Sequence, residues 1–427
     1  MKSIAVIGAG YVGITTAACF ASMGHSVILA DNDLSKLENL GKGICPIVED
    51  GLTELILDGV EKNRLSFSSS NTSAVTNADF IFLCLPTPQG KDGTADTSYI
   101  QSVSKEIGPY LQLQSVVVTK STVPVGSAAV IVDALGRQDV AVVSNPEFLR
   151  EGSAIHDFMH PDRIVIGSNS IEASRLVSEL YETLSAKVII TDPSSAETIK
   201  YAANAFLATK ISFINAVAAI CEGVGADVLD VIEGIGSDSR IGRAFLDPGP
   251  GWGGSCFPKD TKALVKIAER AGYDFALLRG VVEVNQQQQQ RIVEKVLSLR
   301  HPSTEVFRVC ALGLTFKAGT DDRRDSPAVS IIQLILDHGV EVYAYDPTVS
   351  MNNTDQDLAG ISIRGSIQDA ARSSDLILLL TEWPEFRSLE PQNLSGIMRS
   401  KNVVDARNIF DSSEWRSAGF THIGVGR

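Results

Sequence analysis

The sequence is short of basic residues relative to acidic ones. Its 427 residues hold 37 Lys and Arg against 51 Asp and Glu, which gives a formal net charge of −14. That balance argues against a protein that binds nucleic acid or anionic membranes through a basic field. An anionic ligand would therefore depend on local Lys and Arg side chains and on helix N-termini.

Cysteine and long apolar runs are also scarce. The six cysteines form no CxxC pair, so a structural zinc site or a thioredoxin-like motif has no support. No run approaches the ~20 apolar residues that span a bilayer, and the apolar run at the N-terminus is cut by glycines and has no cleavage site. We therefore expect a cytoplasmic protein with reduced thiols.

Short apolar runs alternate with helical patterns in the first part of the chain. Residues 3–7 predict a buried strand, glycines and a helix follow, and a second strand ends at Asp31. Further strand-like runs recur up to residue 190, with helix-like segments between most of them. This alternation predicts an α/β fold with a doubly wound parallel sheet of the Rossmann type.

The middle and the end of the chain have different patterns. Long helical stretches replace strands between residues 196 and 300, and the glutamine run 286–290 is expected on a solvated helix face. Strand-helix alternation then resumes. We therefore predict an N-terminal dinucleotide-binding domain (1–195), a central helical domain (196–300) and a C-terminal Rossmann-like domain (301–427). The last has no GxGxxG loop, so a mononucleotide is its expected ligand.

The pattern GAGYVG at 8–13 follows a strand and opens a helix. Gly8 permits a tight turn, Gly10 lets the backbone approach a pyrophosphate, and Gly13 lets helix and strand pack closely. The start of the helix would face the phosphates. Asp31 suits a ribose 2′-hydroxyl and would repel a 2′-phosphate, so the sequence predicts NAD rather than NADP.

A second glycine-rich loop, 251–254, runs into Cys256. Pro258 suits the start of a helix, so the thiol is expected near a helix N-terminus with Lys259 close by, and both features favour a thiolate nucleophile. Asp260, four residues after the cysteine, would share its face of the helix. The alternative is a buried structural cysteine, although the glycines and the polar neighbours argue against it.

Lys200 and Asn204 are four residues apart on a helix face that is otherwise apolar. A lysine turned inward there would stabilise a developing oxyanion, whereas the alternative is an ordinary surface lysine at the edge of an amphipathic helix. His156 and His160 have a spacing that fits a metal, but no acidic motif accompanies them. We therefore predict no metal site.

Polar residues follow two of the predicted strands, at the edge of the sheet where ligands bind. Thr122 lies in STVPVG, and Glu147 and Glu151 lie in NPEFLREG. Turn chemistry alone would explain either segment, because Pro, Asn and Gly mark loops.

Taken together, the motifs resemble those of the nucleotide-sugar 6-dehydrogenases, the UDP-glucose/GDP-mannose dehydrogenase family. The matching segments occur in the family's order, from residue 3 to about 410: GAGYVG, STVPVG, NPEFLREG, KYAANAFLATKISFIN, GWGGSCFPKD, GLTFKAGTDDRRDSP, YDP, TEWPEF and DARN. The resemblance implies that the C6 alcohol of UDP-glucose is oxidised to a carboxylate, with two NAD+ and one water consumed. GDP-mannose, a UDP-N-acetylhexosamine or TDP-glucose would undergo the same chemistry.

The resemblance also implies roles for individual residues. The thiol would form a thiohemiacetal and then a thioester with the substrate. The implied catalytic residues are Cys256, Lys200, Asn204, Asp260, Thr122, Glu147 and Glu151. The implied NAD contacts are Gly8, Gly10, Tyr11, Val12, Gly13, Asp31, Lys36, Pro86, Thr87, Thr122, Glu151 and Arg324. The implied substrate contacts are Glu147, Phe148, Leu149, Lys200, Asn204, Arg240, Gly251, Gly253, Lys317 and Arg407. Arg240 would reach the substrate in the neighbouring subunit. The subunits would form a homodimer, or a higher homo-oligomer, through the central helices.

Two other classes of protein remain open from the residues. A two-electron 3-hydroxyacid dehydrogenase would share the first domain and the Lys-x-x-x-Asn helix, but it would need neither Cys256 nor a second sheet domain. A non-catalytic regulator that binds NAD or a nucleotide sugar would be expected to lack Cys256 and Asp260, and would often carry a basic DNA-binding segment. NADH formation on adding UDP-glucose discriminates among them.

Overall fold

A computed structural model describes residues 1–90 and 94–427. The chain forms two compact units, one made of residues 1–203 and 262–273 and the other of residues 204–261 and 274–427. The chain passes from one unit to the other three times, within the helices Pro193–Val224 and Phe257–Arg270 and again after Tyr273.

The first unit is built on a sheet of eight described strands in the order β3-β2-β1-β4-β5-β6-β7-β8. The strands are β1 Ser3–Ile7, β2 Ser26–Ala30, β3 Leu65–Ser68, β4 Phe80–Leu83, β5 Val116–Thr119, β6 Ala141–Ser144, β7 Arg163–Gly167 and β8 Lys187–Thr191. The helices between them are α1 Tyr11–Ser22, α2 Leu34–Gly41, α3 Leu52–Glu61, α4 Asn71–Val75, α5 Ser98–Ile107, α6 Ser127–Leu135, α7 Ala154–Met159 and α8 Ile171–Glu179.

Both faces of the middle of this sheet are covered, which explains why the central strands β1, β4 and β5 are almost entirely apolar. Along β1, Ile4 and Val6 belong to one hydrophobic cluster, while Ala5 and Ile7 belong to the other. Because side chains alternate between the faces of a strand, a strand buried on both faces has apolar residues at every position.

The predicted doubly wound sheet is confirmed, with one difference in direction. Strands β1 to β6 are parallel, but β7 pairs antiparallel with β6, and β8 then runs parallel to β7. Apolar runs do not encode strand direction, so the sequence analysis could not detect this reversal. Strand β3 was not predicted either, because its sequence, Leu65-Ser-Phe-Ser, is only half apolar.

The second unit contains a parallel sheet of six described strands in the order β11-β10-β9-β12-β13-β14. These are β9 Arg308–Leu312, β10 Glu341–Tyr345, β11 Ser362–Ile363, β12 Leu376–Leu379, β13 Asn402–Asp405 and β14 Thr421–Ile423. The order repeats that of β3 to β6 in the first sheet, and this confirms the second Rossmann-like sheet.

The remaining helices begin with α9, which both units share. They are α9 Pro193–Val224, α10 Val228–Gly236, α11 Phe257–Arg270, α12 Ala276–Ser298, α13 Pro327–Asp337, α14 Ile367–Ala371, α15 Pro384–Arg387, α16 Pro391–Ser395 and α17 Ser412–Ser417. Short 3₁₀ turns lie at Gly108–Tyr110 and Gln356–Leu358.

Helix α9 corrects the expectation that no segment is long and apolar enough to span a bilayer. It has 32 residues, and an 18-residue stretch of it has a mean hydropathy of 1.5. However, its buried positions include Glu197, Lys200, Asn204, Ser212 and Asn215. Buried polar groups with protein partners are features of a core helix in a soluble protein, because in lipid each would be costly.

The glutamine run in α12 is not simply a solvated face. Gln288 is buried, and its Nε2 donates a hydrogen bond of 2.8 Å to the carbonyl oxygen of Gly249. The helical period of 3.6 residues turns one glutamine of the run inward while its neighbours face solvent.

Candidate active site

The glycine loop at the end of β1 leaves backbone donors available at the start of α1. Helix α1 begins at Tyr11, and its N-cap, Gly10, provides no side-chain cap. Gly10 is exposed, and a Cβ there would meet nothing within 4 Å. At Gly13, by contrast, a Cβ would lie 1.8 Å from the carbonyl oxygen of Gly8. The loop therefore fits a pyrophosphate at a helix N-terminus.

Asp31 stands at the end of β2 beside this loop, as predicted. Its Oδ2 accepts a hydrogen bond of 2.6 Å from the backbone N–H of Ala9, and its Oδ1 accepts one of 3.0 Å from Asp33. The ammonium of Lys36 lies 3.7 Å from the carboxylate, which keeps partial exposure. A carboxylate held in this way at the strand end suits the hydroxyls of an adenosine ribose.

Tyr11 ties the glycine loop to a more distant part of the first unit, a link that the sequence analysis missed. Its hydroxyl is hydrogen-bonded to Glu49 and accepts a hydrogen bond of 2.8 Å from the backbone N–H of Gly152, next to Glu151. Burial, reinforced by the Glu49 carboxylate, raises the pKa of Tyr11, so the phenol stays protonated. No local sequence signal marks Glu49 for this contact.

Lys200 points inward, which rules out the surface-lysine alternative. Its Nζ lies 3.0 Å from Oε1 of Glu147, and both side chains are buried. The other oxygen of Glu147 accepts a hydrogen bond of 2.6 Å from the backbone N–H of Leu149, and the ring of Phe148 lies 5.4 Å from the Lys200 ammonium. A buried acid and a buried base in direct contact can share and move a proton.

Thr122 lines a small polar cavity of the first unit with Ser121, Ser144, Glu197 and Lys200. The sequence analysis did not select Glu197. Its carboxylate accepts hydrogen bonds from the backbone N–H groups of Gly126 (2.6 Å) and Ala128 (3.1 Å), and from the Ser144 hydroxyl.

Burial raises the pKa of Glu197 despite these hydrogen bonds. The sequence signal that could have identified Glu197 is an acidic residue in the first turns of a long apolar helix.

In the second unit, Cys256 directly precedes α11, as predicted. Its half-buried Sγ lies 3.5 Å from the hydroxyl of Ser255. Its carbonyl oxygen accepts a hydrogen bond of 2.9 Å from the backbone N–H of Asp260. The thiol therefore lies at a helix N-terminus with the carboxylate of Asp260 one turn away.

Asp260 is fully buried and is the centre of a polar group of its own. Its Oδ2 accepts a hydrogen bond of 2.6 Å from Nδ2 of Asn204, and its Oδ1 lies 3.1 Å from the Lys259 ammonium. Lys259, expected close to the thiol, forms an ion pair with this aspartate. The contact with Asn204 joins two motifs that are 56 residues apart.

The glycine loop before the thiol is fixed on two sides within the second unit. Asn285 of α12 accepts a hydrogen bond of 2.8 Å from Trp252 N–H and returns one of 2.9 Å to its carbonyl. A Cβ on Gly253 would lie 2.1 Å from the carbonyl oxygen of Asp325. Gly254 N–H donates a hydrogen bond of 3.0 Å to the carbonyl of Arg324. Glycine is therefore required at 253 by close backbone approach.

Two cations predicted to meet the substrate lie close together in the second unit. Arg407 donates hydrogen bonds to the carbonyl oxygens of Leu380 (2.8 Å) and Phe316 (3.0 Å), the residue before Lys317. A Cβ on Gly249, just before the glycine loop, would lie 3.3 Å from the Arg407 guanidinium. The guanidinium also forms an ion pair of 2.9 Å with Glu382, so Arg407 lies beside the loop with one carboxylate partner.

Other predicted residues have less distinctive surroundings. Arg240 is exposed and paired with Asp238, and Arg324 is exposed and paired with Asp322. Pro86 and Thr87 follow β4, the first exposed and the second buried.

The two histidines considered for a metal site stack on each other, with the rings of His156 and His160 4.9 Å apart. Within residues 1–90 and 94–427, no group of three or more His, Cys, Asp or Glu side chains could hold a metal ion.

A Rossmann sheet with a glycine loop, an aspartate at the end of the second strand and a cysteine at a helix start fit a nicotinamide-dependent dehydrogenase. Models of the UDP-glucose/GDP-mannose dehydrogenase family match all three parts of the chain: the NAD binding domain at residues 2–185, the central domain at 194–287 and the UDP binding domain at 310–412. The chain belongs to this family, and it is an NAD-dependent nucleotide-sugar dehydrogenase.

Individual relatives agree with the family models. The chain is 45% identical to a UDP-glucose 6-dehydrogenase of Bacillus subtilis over 432 residues, which covers 100% of this chain and 94% of the relative. A UDP-glucose dehydrogenase structure from Pyrobaculum islandicum is 36% identical, with a TM-score of 0.91 and coverage of 100% and 98% of the two chains. A UDP-D-ManNAc dehydrogenase structure from Pyrococcus horikoshii is 26% identical, with a TM-score of 0.86 and 99% coverage of both chains.

Proposed function

We propose that the protein oxidises the C6 hydroxyl of UDP-glucose to the carboxylate of UDP-glucuronate. The observation that carries this proposal is the group formed by Cys256, Asp260 and Asn204, since a two-electron alcohol dehydrogenase needs no thiol nucleophile. Relatives named for UDP-glucose are 36–45% identical, against 26% for the UDP-D-ManNAc dehydrogenase. GDP-mannose, a UDP-N-acetylhexosamine or TDP-glucose remains the alternative substrate.

When bound, NAD+ would accept one hydride in each of the two oxidations, so two would be consumed for each sugar. The glycine loop at 8–13 would hold its pyrophosphate, and Asp31 would hold its adenosine ribose. In the first oxidation C6 loses a hydride and its hydroxyl loses a proton, which gives an aldehyde. Lys200 stabilises the oxygen while charge develops on it, and Glu147 in contact with Lys200 serves as the partner for proton transfer.

Cys256 retains the substrate through the second oxidation. The thiolate adds to the aldehyde carbon and gives a thiohemiacetal, whose C6 then loses a second hydride to give a thioester. Water attacks the thioester carbon and releases the carboxylate and the thiol. Asp260 is the base for that water and Asn204 orients it, since their side chains are joined by a hydrogen bond of 2.6 Å. The balance is one alcohol, two NAD+ and one water giving one carboxylate, two NADH and three protons.

The nucleotide half of the substrate is proposed to bind the second unit. Lys317, Arg407 and the loop containing Gly251 and Gly253 supply cations and backbone donors for the diphosphate. Phe148, Leu149 and Glu151 remain proposed contacts of the first unit, with Pro86 and Thr87 on the cofactor side.

NADH counting tests this proposal. With NAD+ in excess and UDP-glucose limiting, we expect two NADH for each UDP-glucose consumed, with UDP-glucuronate as the product. One NADH for each sugar would mean that the reaction stops at the aldehyde and would contradict the thioester steps. No NADH with UDP-glucose, together with turnover of another nucleotide sugar, would transfer the assignment to that sugar.

We further propose a homodimer built on α9. Four large apolar side chains on this helix are exposed, at intervals of seven, seven and four residues: Phe206 (65%), Phe213 (55%), Ile220 (62%) and Val224 (72%). Such spacing lines one face of a helix, and a second copy would cover it. Lys210 of α9 holds the adjacent turn by donating hydrogen bonds of 3.1 Å to the carbonyls of Ile241 and Gly242, so Arg240 stands next to this stripe.

Subunit mixing tests the dimer and Arg240 together. We expect Phe213→Glu to shift the protein to a monomer in light scattering. Arg240→Ala and Cys256→Ala, each inactive alone, should regain about a quarter of the wild-type activity when unfolded together and reassembled, because half of the dimers are mixed and each has one intact site. No regain would contradict a shared site. The three-part division at residues 195 and 300 and a cytoplasmic location remain proposals.

A further inference from the structure

Lys120 is a buried lysine that the proposed mechanism does not use. It follows β5 in the first unit and is 5% exposed. Its Nζ donates hydrogen bonds to Oδ1 of Asn145 (3.3 Å) and to the hydroxyl of Tyr181 (3.4 Å). It also lies 5.7 Å and 5.8 Å from the ring centroids of Phe158 and Tyr181. Neither hydrogen-bond partner is a carboxylate, so this is not an ordinary buried ion pair.

Packing of the fold does not require a lysine at this position. Lys120 N–H donates to the carbonyl of Leu83 at the end of the neighbouring strand β4. In the second sheet the equivalent bond runs from Ala406 N–H to Leu379, at the end of β12. Ala406 is completely buried. A small apolar residue thus occupies the equivalent position in the second sheet. Because burying an amine is energetically costly, the amine of Lys120 needs an explanation other than packing.

Asn145 connects Lys120 to a proposed catalytic residue. Its Oδ1 accepts from Lys120 and also from the Tyr181 hydroxyl (2.6 Å), while its Nδ2 donates to the carbonyl of Val165 on β7 (2.8 Å). It lies where β6 ends, beside the one residue pair that joins β6 to β7. Two residues further on is Glu147, which contacts Lys200. The direction in which Glu147 leaves the sheet therefore depends on how this amide is held.

We propose that Lys120 is a positioning residue for the oxidation: it fixes the side chain of Asn145 and, through it, the Glu147–Lys200 pair. This inference rests on the roles given to Glu147 and Lys200 in the proposed function. A displacement of about 1 Å in a catalytic group is enough to slow a reaction strongly without changing how tightly the ligands bind.

Burial lowers the pKa of Lys120, so its charge is disfavoured where it lies. The titratable and charged groups that face it are the thiols of Cys84 and Cys19, the Glu147 carboxylate, the Lys200 ammonium and the phenol of Tyr181. Two hydrogen-bond acceptors match the two N–H groups of an uncharged amine. The positioning role therefore requires no net charge on Lys120.

The test compares Lys120→Met, Asn145→Ala and the double variant, with the exposed Lys187→Met as the control. For Lys120→Met we expect kcat to fall about ten-fold or more, while KM for NAD+ and for UDP-glucose stays within about two-fold. The double variant should be no slower than the slower single variant, since both substitutions break the same connection. Multiplying effects, or a rise in KM in place of the fall in kcat, would overturn the proposal.

Tyr181→Phe keeps the test decisive if Lys120→Met does not fold. It removes one acceptor from Lys120 and one donor to Asn145, and we expect kcat to fall about three-fold at constant KM. An unchanged kcat would overturn the proposal. Wild-type turnover is measured alongside: an inactive wild type would refute the proposed function, whereas an active wild type with unaffected variants would refute only the role of Lys120.

Discussion

The two sheets have the same strand order, and each has an aspartate at the same place. The two aspartates differ in their hydrogen-bond partners and in their exposure. In the first unit Asp31 follows β2 and accepts a hydrogen bond of 2.6 Å from the backbone N–H of Ala9, two residues after β1. In the second unit Asp346 follows β10 and accepts one of 2.7 Å from Leu314, two residues after β9. The same strand-loop-carboxylate arrangement therefore occurs twice in the chain.

The difference lies in what else each carboxylate binds. Asp346 is 1% exposed and also accepts hydrogen bonds from the backbone and hydroxyl of Thr348 and from Trp383 Nε1. Its acceptor sites are occupied by the protein, so it closes the loop after β9. Asp31 keeps partial exposure and has Lys36 at 3.7 Å. Asp346 therefore holds the loop of the second unit in place, whereas Asp31 is proposed to bind a ligand.

The largest difference between the units is expected from the proposed nucleophile, Cys256, which lies in the second unit. Cys256→Ser should lower turnover of UDP-glucose by about a thousand-fold or more, because an alkoxide is far less available than a thiolate for the addition. Cys45→Ser, at a half-buried cysteine of the first unit, is the matched control and should stay close to wild type. Steady-state NADH formation measures both, and a Cys256→Ser variant with normal turnover would refute the covalent mechanism.

Asp346→Asn should destabilise the protein while leaving its choice of cofactor unchanged. The substitution places an amide N–H against backbone donors that have no other acceptor, at an expected cost of about 1–3 kcal/mol. Chemical denaturation monitored by tryptophan fluorescence gives the loss of unfolding free energy. An unchanged unfolding free energy would show that the Asp346 carboxylate does not stabilise the loop after β9.

Asp31→Asn should show the reverse pattern. We expect KM for NAD+ to rise about ten-fold and the preference over NADP+ to shrink, because the charge that repels a 2′-phosphate is gone. The unfolding free energy should change less than for Asp346→Asn, since Asp31 is partly solvated. Initial rates with the two cofactors provide the measurement, and an unchanged ratio would contradict the role of Asp31.

Lys120, whose equivalent in the second sheet is Ala406, should make the free energy of unfolding depend on pH. Its pKa is lowered in the folded protein, so between that lowered value and its ordinary value of about 10.5 the unfolded chain binds more protons. Stability from this group therefore rises with pH across that window. Comparing unfolding free energies of wild type and Lys120→Met between pH 7 and 10 should show a smaller rise in the variant. Parallel curves would contradict the buried, titrating amine.

Tyr11→Phe should have the smallest effect. It removes the hydrogen bonds to Glu49 and Gly152 but keeps the ring, so we expect KM for NAD+ to rise about three-fold with little change in kcat. Tyr110→Phe, at an exposed tyrosine of the same unit, is the control. A fall in kcat larger than the rise in KM for NAD+ would mean that these hydrogen bonds affect the chemical step and not cofactor binding.

Sequence patterns were sufficient wherever the chemistry is local. The glycine loop, Asp31, and the order Cys256, Pro258, Asp260 each lie within one turn or one strand end, and each stands as predicted. Strand direction and β3 were missed because apolar runs show burial without direction and because β3 is only half apolar. The apolar character of α9 was underestimated because polar side chains interrupt it.

The sequence by itself determined the two sheets, the cofactor class and the residues proposed to bear the chemistry, since these depend on backbone geometry and side-chain type over short distances. Only the tertiary structure decided which groups are partners: Glu147 with Lys200, Asn204 with Asp260, and Lys120 with Asn145. These contacts join segments far apart in the chain, and no local periodicity encodes them. They arise because the ends of separate strands and helices converge as the core forms, and each buried polar group must then find a partner.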